Sequence, residues 1–425
     1  EGMSGRIGHR LMAVAWQSSS GKRYRIPTPE EEQAAGECSP DLTGMRFPPF
    51  PQDDSRKFTP ALFGVSEWKQ VHTARQLQAL SAFAAAIRDE AGHIRERCSD
   101  LTETDAVLVT QAVTVILACA LCRMADLLTS LCGWEPNAQA VRHLFTGKAV
   151  PMMWNYGEAC PIASASGSWE LCVKRTMESV QEVPRPTVGS AIVSMAAAQD
   201  VSLAPVDIVL TDPPYYDAIA YAHLSDFFMP WLRAAMGNQL PDWFGAVSTP
   251  KRREIIQRPS GEKTKEQFEH DLADAFVRMH SNLSDDGIVI LVYAHKSTAA
   301  WETLFEALLK SGFVVVATWP IETEMAARKD ARGNASLAST VYFVCRKRTA
   351  HEDGFFDDVE PALHTRLHER LDYFWSQGIR GADFFMSAIG PAVEVFGRHK
   401  RVLKLSGDEV KIAELLDMVR GIVAD

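Results

Sequence analysis

The sequence of 425 residues lacks the features that mark non-globular proteins. Its eight cysteines show no dense pattern, which argues against a disulfide scaffold and favours a reducing compartment. Apolar residues make up 46% and charged residues 23%, so collagen-like and disordered chains are excluded. The formal net charge of -10 excludes a surface that is basic throughout, although local basic patches remain compatible with it.

No targeting or membrane-spanning segment is evident in the sequence. Leu11–Trp16 is too short for the apolar core of a signal peptide, and no cleavage site follows it. The longest apolar run, Ala106–Cys122, is interrupted by Thr110, Gln111 and Thr114 and falls short of the roughly 20 residues that span a bilayer. We therefore expect this run to be a buried core helix in a cytoplasmic protein.

The pattern along the chain changes three times. Residues 1–60 are rich in proline and poor in apolar periodicity, which is typical of an extended arm or linker. Residues 61–150 have helical periodicity, and Thr102 with Asp105 predicts the start of the second helix. Residues 151–350 contain an α/β pattern, and residues 351–425 form a helical C-terminal segment.

Short β-branched runs alternate with helical patterns between residues 188 and 349. The runs that we predict to be strands are Val188–Met195, Val206–Thr211, Gly287–Tyr293, Phe313–Trp319 and Thr340–Cys345. The helical stretches between them are Ala218–Ala235, Lys265–Asn282 and Thr298–Lys310. Because the strands are apolar almost throughout, this alternation predicts an α/β fold with a mostly parallel sheet.

The most informative residues directly follow the second of these runs. Thr211–Asp217 has the sequence TDPPYYD. Ligands of α/β sheets bind beyond the carboxyl ends of the strands, so a functional loop is expected at this place. The alternative is a turn whose Asp212 caps the next helix, but two prolines and two tyrosines are an unusual way to build one.

The chemistry that this loop suits is methylation of an amino group. A conjugated amino group is planar and its lone pair is delocalised, so it is a poor nucleophile. The Asp212 carboxylate can accept one N–H and the Pro213 carbonyl the other, which favours a pyramidal, nucleophilic nitrogen. Pro213 and Pro214 stiffen the loop, and Tyr215 offers a ring on which a flipped base can stack.

The loop resembles the catalytic loop of amino-methyltransferases that use S-adenosylmethionine. The longer run TDPPYYDAIAYAHLSDFFMPWLR is similar to the large bacterial adenine-specific DNA methylases of restriction and phage-defence gene clusters. Further matching runs are VHTARQLQALSAF, AVPMMWNYGEACPI, VYAHKSTAAWETLFEALLKSGFVVVATWPIETE, SLASTVYFVCRKR and GIRGADFFMSAIGPAVEVFG. The family's usual Thr-Pro-Arg-Gln stands here as Thr73–Gln76, with alanine in the second place.

The resemblance covers most of residues 70–425. It implies a Rossmann-like methyltransferase sheet, with residues 151–350 as the catalytic region and the C-terminal helical segment beside it. It also implies S-adenosylmethionine as cofactor and double-stranded DNA as substrate.

One departure from the family is large. Such a methylase needs a glycine-rich loop after its first strand, yet none of the 26 glycines has another glycine two positions away. In the family this loop lies far toward the N-terminus, so the predicted strands correspond to the third to seventh of seven. We therefore expect the C-terminal part of the enzyme, completed by a missing N-terminal segment or a partner chain. An unpaired sheet edge should then lie beside the catalytic strand.

Other polar residues are candidate ligands of the cofactor or of DNA. The resemblance places Asp200 against the adenine amino group of the cofactor, with an exposed turn aspartate as the alternative. The candidate DNA-binding cations are Lys251, Arg252, Arg253, Lys296, Arg328, Lys329 and Arg332, with Lys263 and Lys265 beside the first three. Lys296 follows His295 after a predicted strand, and ordinary solvated charge is the alternative for every one of these cations.

No metal site is expected. Cys119 and Cys122 have the spacing of half a zinc site, but they lie in an apolar helix and lack a second pair. His364 and His368 are an i, i+4 pair without the glutamate of a zincin motif.

The leading hypothesis is a DNA adenine N6-methyltransferase that flips its target base and uses S-adenosylmethionine. With the same chemistry, the acceptor can instead be cytosine N4, an RNA adenine or a protein glutamine. The alternative from another class is a non-catalytic DNA-binding or assembly subunit that keeps the fold without binding cofactor. The absent glycine-rich loop favours this alternative, and the intact catalytic loop is evidence against it.

Overall fold

The computed structural model describes residues 8–147, 149–183, 189, 191–214, 219–258, 263–293, 295, 298–322, 339–349 and 352–424. The chain divides into two compact units, Glu1–Ile192 with Ala220–Arg252, and Val193–Ile219 with Arg253–Asp425. The described residues form twelve α-helices and a mixed four-stranded sheet, which confirms the prediction of a mixed α/β chain.

The first unit is mainly helical. Its elements are β1 (Val14–Ser18), β2 (Gly21–Arg25), α1 (Pro29–Gly36), α2 (Ala74–Arg97), α3 (Glu103–Ala125), β3 (Trp134–Glu135), β4 (Ala140–Val141), α4 (Trp169–Glu182), α5 (Tyr221–Ser225), α6 (Met229–Met236) and α7 (Pro241–Phe244). β1 with β2 and β3 with β4 are two antiparallel hairpins. Short 3-10 helices cover Thr59–Phe63 and Trp68–Val71.

The start of α2 explains part of a family-like run. Thr73 is its N-cap and forms a capping box with Gln76, while Ala74 fills the first helical position, where proline is also tolerated. Arg75 forms an ion pair with Glu158, whose other oxygen accepts a hydrogen bond from the Thr73 hydroxyl at 3.0 Å. Two of the matching runs therefore meet at Glu158 in the first unit.

α3 departs from the expectation in two ways. Thr102 is its N-cap, as predicted. With 23 residues, α3 is longer than the apolar run Ala106–Cys122, and it is the one described helix that could cross a membrane by length and composition. Only 33% of its apolar window is buried, and Leu108 and Val109 are exposed, so α3 is packed on one side rather than enclosed. The packed side contacts α2, α4 and α6.

The core of the first unit contains a cluster of aromatic side chains. Phe50 and Trp68 lie with ring centroids 4.7 Å apart, and Trp68 lies 5.5 Å from Phe227. The His72 ring is stacked on Phe227 at 5.4 Å and contacts Trp231 edge-on. Phe50 is 1% exposed, so a residue of the segment predicted to be an arm or linker belongs to this core.

The second unit contains the sheet and the last helices. Its elements are β5 (Val206–Thr211), α8 (Lys265–Asn282), β6 (Leu283–Tyr293), α9 (Thr298–Lys310), β7 (Phe313–Glu322), β8 (Ser339–Lys347), β9 (Gly354–Phe355), α10 (Phe356–Ser376), α11 (Gly381–Phe396), β10 (Val402–Leu403) and α12 (Ile412–Ala424). β5, α8 and α9 have the predicted bounds.

The sheet has the strand order β5-β6-β8-β7. β5 and β6 are parallel, whereas β8 is antiparallel to both β6 and β7. β5, β6 and β7 therefore run in one direction, but only the β5–β6 pairing is parallel. The sheet is mixed, and not mostly parallel as expected. β7 and β8 form a hairpin whose connection lies outside the described residues.

One face of the sheet carries the core of the second unit. Alternate residues of β6 and β8, such as Val289, Leu291 and Phe343, are buried in one cluster with side chains from α8 to α12. The Phe343 ring lies 5.7 Å from Trp301 and 5.2 Å from Phe305 of α9. This face is therefore covered by helices.

The first predicted strand is wrong. In Val188–Met195 the described residues 189 and 191–195 are not in a strand, and Ile192 and Val193 are 93% and 81% exposed. β-branched composition favours a strand only where a partner is available, and no described strand lies beside this run. β5 pairs with β6 alone among the described strands, so it is the edge of the sheet.

Candidate functional site

The loop after β5 carries the main candidate residue. Asp212 is exposed directly beyond the end of β5, while Pro213 is buried and Pro214 half-buried. Neither the Asp212 carboxylate nor the Pro213 carbonyl accepts a hydrogen bond from a described residue. An exposed carboxylate that has no donor within the described ranges is thus followed by a buried proline.

The end of β6 lies at the same edge of the sheet, because β5 and β6 are parallel and Thr211 is opposite Leu291. Two residues further on, Tyr293 is buried, and burial raises the pKa of its phenol. Its ring lies 6.4 Å from that of His295, whose carbonyl accepts a hydrogen bond from the Trp301 indole at 2.8 Å. His295 is therefore anchored through its backbone near the edge that carries Asp212.

Asp200, the candidate cofactor ligand, has a partner within its own unit. The guanidinium of Arg253 donates a hydrogen bond to its carboxylate. The neighbouring Gln199 is buried, and its side-chain amide donates to the Arg253 carbonyl at 3.3 Å. Two residues predicted for different ligands, cofactor and DNA, thus bind one another.

Most of the predicted basic patch around residue 251 is paired with carboxylates. Lys251 lies 2.5 Å from Asp226, Lys263 lies 2.8 Å from Asp271, and Lys265 lies 3.5 Å from Glu269. Arg252 is exposed and has no ion-pair partner among the residues that the structure describes. Within residues 251–253, Arg252 is therefore the cation best placed to meet an external phosphate.

Asp226 is a buried acid that the sequence motifs did not predict to have a role. It is 0% exposed, and one oxygen accepts hydrogen bonds from the backbone N–H and hydroxyl of Thr249 at 2.7 and 2.8 Å. The other oxygen binds Lys251. Its position between Ser225 and Phe227, in a mainly apolar run, could have indicated a buried carboxylate. A buried charge needs a partner, so a nearby cation would then have been expected to bind it.

Several predicted site residues lie outside the described residues. They are Tyr215, Lys296, Arg328, Lys329 and Arg332. The described residues of the predicted catalytic loop are therefore Asp212, Pro213 and Pro214.

The described residues do not by themselves form a site for S-adenosylmethionine. Asp200 is engaged by Arg253, and the sequence offers no Gly-x-Gly for the backbone to approach a ligand closely. Across the described ranges there is also no group of three or more His, Cys, Asp or Glu side chains that could hold a metal ion.

Comparison with known proteins adds no assignment: no family model, no curated protein and no solved structure matches the chain.

Proposed function

We propose that this chain is the catalytic-loop portion of an S-adenosylmethionine-dependent DNA adenine N6-methyltransferase that acts on a flipped base. The observation that carries the proposal is the exposed Asp212 carboxylate at the carboxyl end of β5, which has no hydrogen-bond partner among the residues that the structure describes. Under this proposal β5 to β8 are the fourth to seventh strands of a partial Rossmann-like methyltransferase sheet. The cofactor supplies the methyl group, and double-stranded DNA supplies the base.

The role of the described residues is to prepare the acceptor nitrogen. Asp212 and the Pro213 carbonyl each accept one N–H of the amino group, which turns the nitrogen toward a pyramidal geometry. Burial of Pro213 holds the backbone in place, so the two acceptors do not have to reorganise during the reaction. Tyr215 is proposed to stack on the base, and Arg252 with Lys296, Arg328, Lys329 and Arg332 to contact phosphates.

The glycine-rich loop is proposed to come from a segment or partner chain outside these 425 residues. Calorimetric titration of S-adenosylmethionine into the folded chain tests this. We expect no binding; micromolar binding would mean that the chain forms a cofactor site by itself.

The catalytic role is tested by Asp212→Asn in the assembly isolated from its source cells. We expect methyl transfer to DNA to fall about 100- to 1000-fold, in line with the loss of a preorganised transition-state contact, with cofactor affinity unchanged. Asp207→Asn is the matched control, since Asp207 is an exposed carboxylate on β5, the strand that leads to Asp212, and accepts a hydrogen bond from Ser284. Undiminished turnover of Asp212→Asn would refute the role of this residue.

Digestion of the methylated substrate identifies the acceptor. N6-methyladenine in DNA supports the proposal, whereas N4-methylcytosine, methylated RNA adenine or methylglutamine would assign the same chemistry to another substrate.

A non-catalytic DNA-binding or assembly subunit is the second candidate. The ion pair of Asp200 with Arg253 favours it, because a carboxylate expected to bind the cofactor already has a partner. Absence of methyl transfer from a folded, DNA-binding assembly would support this candidate.

A further inference from the structure

Two exposed aromatic side chains at the end of α10 each lie beside an arginine. The guanidinium carbon of Arg380 is 3.6 Å from the centroid of the Trp375 ring, and that of Arg370 is 4.9 Å from the centroid of Tyr373. Trp375 and Tyr373 are 57% and 43% exposed, whereas Phe374 between them is buried. We call Arg370, Tyr373, Trp375 and Arg380 the arginine–aromatic surface.

The turn between α10 and α11 holds Arg380 on the indole. Gly378 follows the end of α10 with a φ of 83°, a conformation that favours glycine. The Nη1 of Arg380 donates hydrogen bonds to the carbonyls of Trp375 and Ile379 at 2.7 and 2.8 Å. The Phe384 ring contacts Trp375 edge-on at 5.8 Å. The family-like run GIRGADFF, to which the catalytic loop gives no role, thus supplies two contacts of this indole.

The two arginines of this surface are not neutralised by a described carboxylate. The other arginines from α10 to the end of the chain each form an ion pair; they are Arg366, Arg398, Arg401 and Arg420. Arg370 and Arg380 donate to carbonyl groups, and neither has an ion-pair partner among the residues whose side chains are described. Two positive charges therefore lie beside the two exposed rings.

The arginine–aromatic surface lies at the level of the catalytic loop in the sheet. Arg370 donates a hydrogen bond to the Thr318 carbonyl of β7 at 3.4 Å. One row of paired residues crosses all four strands, and its members are Thr318, Phe343, Leu291 and Thr211. Asp212 directly follows Thr211, so three strand spacings, about 14 Å, separate the β7 contact of Arg370 from the strand that leads to Asp212.

An unpaired nucleic-acid strand fits this surface better than a protein, a membrane or a duplex. Free bases stack on aromatic rings and on guanidinium planes, and arginines bind the phosphates between them. The centre of a protein interface and a membrane-binding face are both apolar, yet Tyr373 and Trp375 are the only large apolar side chains exposed on α10 among the described residues. In a duplex the faces of the bases are stacked on one another, so neither ring could receive one.

We infer that the arginine–aromatic surface binds an unpaired strand of DNA or RNA. One base stacks on Trp375 and Arg380, another stacks on Tyr373, and Arg370 and Arg380 contact the phosphates. DNA and RNA present the same ring faces and phosphates, so the surface recognises the chemistry that they share. That the strand continues toward Asp212 rests on the proposed function; the binding itself rests on these four side chains.

Fluorescence anisotropy of labelled oligonucleotides with the full chain tests this binding. The probes are oligothymidylate and oligouridylate of about 16 nucleotides, which is within the range of known single-strand sites. We expect both to bind more tightly than the duplex of oligothymidylate with its complement, and the tighter of the two identifies DNA or RNA as the preferred strand. Trp375→Ala should weaken single-strand binding about tenfold, and Trp375→Phe, which keeps a ring, should retain most of the affinity.

Trp16 of β1 provides the matched control. It is 40% exposed and lies 5.8 Å from the Arg25 guanidinium, but Arg25 donates two hydrogen bonds to Glu31, which neutralises this cation. Trp16→Ala should therefore leave binding unchanged. Arg380→Gln should reduce the slope of log affinity against log salt concentration by about 0.7, the value for one lost phosphate contact. Circular dichroism verifies that each variant is folded.

Several results would overturn the inference. They are equal affinity for the duplex, undiminished affinity of Trp375→Ala, and an equal loss in Trp16→Ala. A photoreactive amino acid in place of Trp375 should crosslink to nucleotides in the source cells, whereas crosslinks to a polypeptide or to lipid would assign the surface to that partner instead. Because no readout involves methyl transfer, strand binding without methylation would count only against the proposed function, and methylation by a chain that binds no single strand would count only against this inference.

Discussion

The ion pair of Lys251 with Asp226 engages a predicted DNA-binding cation within the protein itself. Lys251 belongs to a basic patch by sequence, but its ammonium group neutralises a fully buried carboxylate. Asp226 is also the C-cap residue of α5. Pro230 lies in the first turn of the next helix, where its missing N–H costs no hydrogen bond. The single helix predicted over Ala218–Ala235 is therefore two helices.

Lys251→Met should destabilise the protein because it leaves Asp226 buried without its cation. We expect a loss of about 3 kcal/mol, at the low end for a broken buried pair, since Lys251 retains some contact with solvent. Arg252→Gln, at the exposed neighbouring position, should change stability by less than about 0.5 kcal/mol. Urea unfolding measures both, and equal effects of the two variants would contradict the assigned ion pair.

At the scale of elements, a close approach of helix and strand fixes α11 on β7. A Cβ added to Gly390 would overlap the hydroxyl oxygen of Thr318, whose residue is 4% exposed. The small residue is required here because β7 passes directly against the helix. Gly92 in α2 differs, since nothing lies within 4 Å of the equivalent position.

Alanine substitution should therefore act in opposite directions at the two glycines. Gly390→Ala should destabilise by about 1–3 kcal/mol, because overpacking outweighs the better helix propensity. Gly92→Ala should stabilise by up to about 1 kcal/mol, since only the propensity changes. Thermal unfolding distinguishes these signs, and stabilisation by both variants would show that α11 can move away from Thr318.

The sequence predicts elements of the sheet better than their partners. Local patterns give the bounds of β5, α8 and α9, because apolar periodicity reflects which face each element buries. The same patterns give Val188–Met195 as a strand, since propensity carries no information about pairing. The contact of Asp200 with Arg253, 53 residues apart, and the role of Asp226 depend on tertiary structure and could not be predicted from motif spacing.

At the scale of the whole molecule, stability should depend on pH through a buried histidine. Burial lowers the pKa of His72 from 6.5 to about 4, while its hydrogen bond to the Leu128 carbonyl at 2.6 Å opposes the shift. Between these pH values the unfolded chain binds a proton that the folded chain does not. The contribution of His72 to the free energy of unfolding is therefore complete above pH 6.5 and decreases as the pH falls toward about 4.

We expect this group to contribute a loss of about 3 kcal/mol between neutral pH and pH 4. His72→Gln, which keeps a donor but does not titrate, should remove that part of the pH dependence. His93 is the control, because Glu90 raises the pKa of this exposed ring, so its contribution is lost as the pH rises instead. Urea unfolding at several pH values measures the difference, and parallel curves for wild type and His72→Gln would contradict the assignment.

The strand order also constrains the sequence of events during synthesis. β8 is the last of the four strands to leave the ribosome, yet it lies between β6 and β7. Until residue 347 emerges, β6 and β7 have no shared partner, and the β5–β6 pair is the only part of the described sheet that can form. Nascent chains therefore expose aggregation-prone strands through most of the unit's translation, and chaperones that bind extended apolar segments would find their targets here.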